Sequence, residues 1–181
     1  MAVQSFMLPL GTVAPPFQLP DVVSGRVVSP DDFAGKPLLV IFLCAHCPYV
    51  VHVQEELARL GRDYSTEKLG IVSISSNDAV TYPQDGPEGL KTFALKNGFV
   101  FPLAYDEAQD AARAYQAACT PDFFLFDASH ALVYRGQLDD SRPGKGTPNG
   151  RDLRAAIEAV LSGKPVAETQ RPSIGCSIKW K

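Results

Sequence analysis

Cys44-Ala45-His46-Cys47 puts two nucleophilic sulfurs three positions apart. Sulfurs at that spacing can close a small disulfide ring and open it again. At the start of a helix, the first of them meets backbone N–H groups that have no intrahelical partner. Those donors and the positive end of the helix dipole favour the thiolate, the form that attacks disulfides. A C-x-x-C is also half of a zinc site, but the sequence holds no second C-x-x-C to complete one. His46 adds an imidazole that donates to a thiolate or, when protonated, pairs with it; an exposed loop histidine is the plain alternative. The second chemical signal is Cys119-Thr120-Pro121-Asp122, where a proline stands at the entry to an aromatic strand. A cis bond there would turn the chain and leave the preceding carbonyl and N–H free to meet an extended substrate.

These motifs need elements to hold them. Leu38-Leu39-Val40-Ile41-Phe42-Leu43 is apolar without alternation, as suits a central strand covered on both faces. Val50, Val53, Leu57, Leu60 and Tyr64 recur at spacings of three and four, which predicts a helix straight after the cysteines. Glu55, Glu56, Arg59 and Arg62 would form its exposed face. Residues 71–75 read as a second buried strand. Pro87 opens a helix that Asn97-Gly98 stops, and a third helix is expected over 106–117. Residues 122–126 and 131–135, joined by Ala128-Ser129-His130, give a hairpin signal, with Arg135 solvated at its end or set near the thiols. A last helix spans 151–161, and the chain from 163 to 181 reads as a tail. Ahead of all this, short strands around residues 17–19 and 26–28 flank the Ser24-Gly25 turn as an N-terminal β-hairpin. Strands alternating with helices, then a hairpin and a closing helix, predict one α/β domain over 1–162 with a mixed central sheet.

Composition narrows the function classes. The chain has 181 residues, with 17 basic and 20 acidic side chains and a net charge of -3. That balance argues against a nucleic-acid protein that depends on phosphate neutralisation. The longest apolar run, residues 38–45, is far short of the roughly 20 residues needed to span a bilayer. The N-terminus offers no export signal, so the expected location is the cytoplasm, where paired thiols are catalytic or metal-binding more often than structural. Cys119 reads as a buried core thiol, Cys176 as an unpaired thiol of the tail, and His52 and His130 as surface residues.

Gly11-x-x-Ala14-Pro15-x-Phe17 and Gly35-Lys36-Pro37 precede the apolar strand, and together with the two thiol motifs they carry a resemblance. The chain resembles the redoxin branch of thioredoxin-fold proteins. That branch groups alkyl hydroperoxide reductase/thiol-specific antioxidant proteins with thioredoxin-like thiol–disulfide oxidoreductases. The resemblance covers about residues 8–162 and implies a thioredoxin-like three-layer sandwich. It also implies Cys44 as nucleophile, Cys47 as resolving thiol and a cis Thr120–Pro121 bond facing both. The histidine before the second cysteine is similar to the motif of periplasmic disulfide oxidants. The implied activity is thiol–disulfide exchange with a protein or small-thiol substrate and a cellular thiol reductant, with no cofactor and no metal. Leu43 stands where thioredoxins carry a tryptophan. Cys44 and Val40 stand where peroxiredoxins carry the threonine and proline that precede their peroxidatic cysteine, whose own place falls on Cys47. A peroxiredoxin-like thiol peroxidase therefore stays open. If Pro48 is the first helical residue, Cys47 is the cap and at least as well placed for dipole stabilisation as Cys44. A third reading is a Cu(I) or zinc site of Cys44, Cys47 and His46, or of a tail ligand such as Cys176.

Overall fold

The computed structural model describes residues 2–64 and 67–181. In chain order its elements are β1 (Ala2–Gln4), β2 (Leu19–Pro20), β3 (Val27–Val28), β4 (Leu38–Phe42), α1 (Pro48–Asp63), β5 (Gly70–Ser75), α2 (Pro87–Asn97) and β6 (Leu103–Tyr105). They continue with α3 (Asp110–Ala114), β7 (Cys119–Thr120), β8 (Asp122–Phe126), β9 (Leu132–Gly136), α4 (Arg151–Leu161) and β10 (Ile174–Ser177). The main sheet has the order β6-β5-β4-β8-β9. β4 runs parallel to β5, and β5 to β6, whereas β4–β8 and β8–β9 are antiparallel. The sheet is therefore mixed, and the apolar run of β4 lies at its centre.

Every residue of β4 is buried because both faces of the sheet are covered. Successive side chains alternate between those faces. Leu39 and Ile41 join a core with Val53 and Leu57 of α1, Leu90 of α2 and Ile157 of α4. Leu38, Val40 and Phe42 join a second core with Ala111 and Ala112 of α3, Tyr115 and Phe124. Helices on both sides of a mixed sheet make the expected three-layer sandwich. The N-terminal hairpin forms as β2 and β3, with Leu19 opposite Val28.

Beyond β1, β6 and β7, which the sequence reading does not anticipate, three features differ from it. The helix expected over 106–117 shrinks to α3. Gln109 takes a left-handed φ of 65°, and Gln116 one of 50°. The Asp106 carboxylate instead accepts the Ala112 N–H and the Ser76 hydroxyl. Glu56 does not lie on an exposed face. It is 2% exposed and accepts from Arg154 at 2.6 Å and Arg59 at 2.8 Å, clamping α1 to α4. Glu56→Gln is expected to cost about 1–3 kcal/mol, because it removes the acceptor charge from buried hydrogen bonds. A thermal melt separates this from an exposed site, where the change would stay within about 0.5 kcal/mol.

The third difference is the segment after α4. It folds back, and β10 becomes the middle strand of a small antiparallel sheet between β1 and β7. Cys176 stands opposite both Ala2 and Thr120. Gly175 lies so close to the Thr120 carbonyl that a Cβ at this position would overlap it. The approach of β10 to the Thr120–Pro121 turn therefore requires a glycine.

Candidate active site

The C-x-x-C follows β4 directly, and the Leu43 N–H still bonds the Ile74 carbonyl at the strand's end. Cys47 is the N-cap of α1 and Pro48 its first helical residue. Pro has no N–H to lose there, and its fixed φ suits the position. Cys47 rather than Cys44 therefore sits at the helix N-terminus. Both thiols are buried, at 1% exposure for Cys44 and 0% for Cys47, and neither is in a disulfide.

The Thr120–Pro121 peptide bond is cis, and Thr120 meets both sulfurs. Its hydroxyl lies 3.3 Å from the Cys44 sulfur, and its carbonyl accepts from the Cys47 thiol at 3.2 Å. Beside Pro121 runs a narrow cleft of about 20 Å³ walled by Tyr49, His52, Ser141, Arg142 and Ile174. His52, expected at the surface, is half-buried against the Ser141 hydroxyl at 3.0 Å. Arg135 has a partner of its own: its guanidinium donates to Gln170 at 2.8 Å.

The thiols are electrostatically unequal. The neighbouring Cys44 thiol, then Cys176, the Val50 N–H and Thr120, favour the Cys47 anion and hold its pKa down at about 4 against burial. Cys44 is pushed the other way: its proton is held by Cys47, burial disfavours its charge, and the Asp85 carboxylate repels it. The Thr120 carbonyl suits the protonated Cys47 and opposes the thiolate. The donors facing Cys47 outnumber it.

His46 faces a different partner from the one its position suggests. Its Nδ1 lies 2.5 Å from the Asp85 carboxylate, and its ring stacks on Tyr82 with centroids 4.8 Å apart. Asp85 is 0% exposed and also accepts from the Ala45 N–H and the Asn77 amide, each at 2.8 Å. Sequence reading missed Asp85. Its only local mark is a place in Pro83-Gln84-Asp85-Gly86-Pro87, ahead of α2, and its partner His46 lies 39 residues away. Cys44, His46 and Asp85 offer ligand atoms within 4.8 Å of one another, a possible metal trio. The Asp85 oxygens, however, are already committed to three donors, which leaves a metal to compete with existing hydrogen bonds. Cys176, read as a tail thiol, packs against the core that holds Cys47, and each of the two thiols shifts the other's pKa. Cys119 is a fully buried thiol whose pKa burial raises.

The mixed sheet, its flanking helices and the strand–C-x-x-C–helix order define a thioredoxin-like fold. Residues 10–135 match the AhpC/TSA family, and the chain belongs to that family. It is similar to a protein of Mycobacterium tuberculosis named as a candidate peroxiredoxin, with 32% identity over 108 residues. That match covers 59% of this chain and 63% of the relative, so the chain spans less than two thirds of the relative's length. The solved structure of an uncharacterized conserved protein from Geobacillus kaustophilus is 54% identical. It superposes with a TM-score of 0.97 over 100% of this chain and 97% of its own. The thioredoxin domain of a thiol–disulfide oxidoreductase from Bacteroides vulgatus shares the fold at 22% identity. Its TM-score is 0.61 over 75% of this chain and 90% of that one. Among the described residues, no helix is long and apolar enough to cross a membrane.

Proposed function

We propose that the protein is a thiol–disulfide oxidoreductase in which Cys47 attacks and Cys44 closes the disulfide. The observation that carries this reading is the place of Cys47 at the N-cap of α1, beside Cys44 and Thr120, where its pKa is held down at about 4. The Cys47 thiolate attacks one sulfur of a substrate disulfide, forming a mixed disulfide and expelling the other sulfur as a thiolate. Losing the Cys47 charge frees the Cys44 proton, which passes to the departing thiolate. Cys44 then attacks the Cys47 sulfur, and the second substrate thiol leaves. A low-pKa Cys47 is also a good leaving group, so the same pair is readily reopened by a reducing thiol. Thr120 and Pro121 hold the turn that faces the pair, and His46 positions the loop through Asp85. A thiol reductant in the cytoplasm, the compartment expected from the sequence, completes the cycle.

Peroxide reduction is the second reading, favoured by the burial of both sulfurs, since a small oxidant reaches them more easily than a protein loop does. Cys47 would then become a sulfenic acid as the peroxide leaves as an alcohol or water, and Cys44 would condense with it to release water. Steady-state assays with a fixed reductant separate the two. The expected result is faster turnover of insulin or small disulfides than of hydrogen peroxide or cumene hydroperoxide. Turnover faster with peroxide would replace disulfide exchange by the peroxidase reading. Stoichiometric zinc or copper in protein purified under reducing conditions would argue for the metal reading instead.

A further inference from the structure

The Thr120 backbone is not free for a substrate strand, as the cis-proline turn led us to expect. The place beside it is taken by β10 of the same chain, in antiparallel register, with Cys176 opposite Thr120. An extended substrate paired with Thr120 would bring its cysteine to the Cys47 sulfur. Cys176 stands at that place: the Thr120 carbonyl accepts from the Cys47 thiol, and Cys176 packs against the core that holds Cys47. The Gly175 contact with the Thr120 carbonyl is an independent sign that β10 is built to come this close. Exposure also differs along the row of thiols: Cys44 and Cys47 are sealed, whereas Cys176 is half-buried.

We propose that Cys176 is a third redox thiol, seated in the place of a substrate cysteine, which takes over the disulfide from Cys44–Cys47 and presents it to an external thiol reductant. This rests on the proposed Cys44–Cys47 dithiol cycle. In the oxidised protein the Cys176 sulfur attacks the Cys47 sulfur. The Cys44–Cys47 bond breaks as the Cys47–Cys176 bond forms, and Cys44 leaves as a thiolate that takes the proton released by Cys176. No electrons are gained or lost in this exchange. A reductant thiolate then attacks Cys176, freeing Cys47, and a second reductant thiol releases Cys176, so that two external thiols become one disulfide. The Cys47 charge, which together with burial holds the Cys176 pKa up at about 11, is absent once Cys47 is in a disulfide.

The test is disulfide mapping by mass spectrometry of full-length protein oxidised with one equivalent of a small disulfide, then quenched in acid and alkylated. The wild type is expected to give both Cys44–Cys47 and Cys47–Cys176 linkages, with Cys119 unlinked. Cys44→Ser is expected to give Cys47–Cys176 alone. Stopped-flow reduction of the oxidised protein by glutathione is expected to slow about tenfold or more in Cys176→Ser and Cys176→Ala, with melting temperatures confirming that the variants are folded. Overturning the relay requires Cys44→Ser to hold Cys47 only as a mixed disulfide with the added reagent, with Cys176 free, and reduction rates to stay unchanged. Failure of the dithiol reading itself looks different: the wild type would form no Cys44–Cys47 linkage at all.

Discussion

In the reduced protein, a thiolate ultraviolet absorbance is expected to persist down to about pH 4 and to belong to Cys47. An ordinary thiol with a pKa near 8.5 loses almost all of its anion between pH 8 and 5, so its alkylation slows by roughly 10³-fold. Cys47 alkylation over the same range is expected to change by less than about twofold. Comparing Cys47 with itself removes the effect of its burial. Cys47→Ser removes both this absorbance and all turnover. Cys44→Ala raises the Cys47 pKa, because the Cys44 thiol is the largest single donor to it, and Cys44→Ser restores part of the shift through its hydroxyl. Substrate mixed disulfide accumulates on Cys47 in the Cys44→Ser, Cys176→Ser double variant, where neither neighbouring thiol can displace it. Stability follows the same sign. The Cys47 pKa drops from an ordinary 9.0 to about 4, so the unfolded chain binds the extra proton between those values. The contribution is complete above about pH 9 and is lost as pH falls towards 4. Relative to Cys47→Ser, the reduced wild type should therefore gain melting temperature from pH 5 to pH 8. An anion that disappears near pH 8, or one that maps to Cys44, would return the nucleophile to Cys44 as the sequence implied.

The proposed reversal of roles shows where a sequence stops being legible. The strand–dithiol–helix order can be read from residues 38–64, because burial on both faces, helical spacing and proline punctuation are all local signals. The same holds for α2, the β8–β9 hairpin and α4. Which cysteine carries the charge depends on whether Pro48 is the first helical residue, a shift of less than one turn, and on donors from distant parts of the chain. Cys176 reaches Cys47 from β10, whose Ile174-Gly175-Cys176-Ser177 is too short and too polar to announce a strand. Its partner is Thr120, and the pairing is visible only once β1 and β7 offer it two edges. Glu56 fails in the same way. On its own helix it belongs to the polar set, and only Arg154, at a separation of 98 residues, makes its burial affordable.

Asp85 is the furthest of these from any local signal, and its replacement is expected to have the largest structural effect at the site. Its carboxylate holds the Ala45 N–H, the His46 imidazole and the Asn77 amide at zero exposure. Asp85→Ala leaves the buried Asn77 amide and the half-buried Ala45 N–H and His46 ring unpaired, so a loss of roughly 3–5 kcal/mol is expected. For a chain of this size that lowers the melting temperature by about 10 °C. Asp85→Asn keeps the shape and removes the charge, which separates positioning from electrostatics. Asp85 raises the Cys44 pKa by repulsion, so its neutralisation favours the Cys44 anion, and Cys44 alkylation at about pH 9 should speed up. Cys47 should respond less, since its anion is held by Cys44, Cys176, Val50 and Thr120. His46 acts through the same carboxylate. His46→Ala is expected to loosen the 44–47 loop while leaving the low Cys47 pKa in place, in contrast to an imidazole that bonds the thiolate directly. Unchanged Cys44 alkylation in Asp85→Asn would remove the carboxylate from the electrostatics of the pair. A Cys47 pKa that rises in His46→Ala would put the imidazole on the sulfur rather than on Asp85.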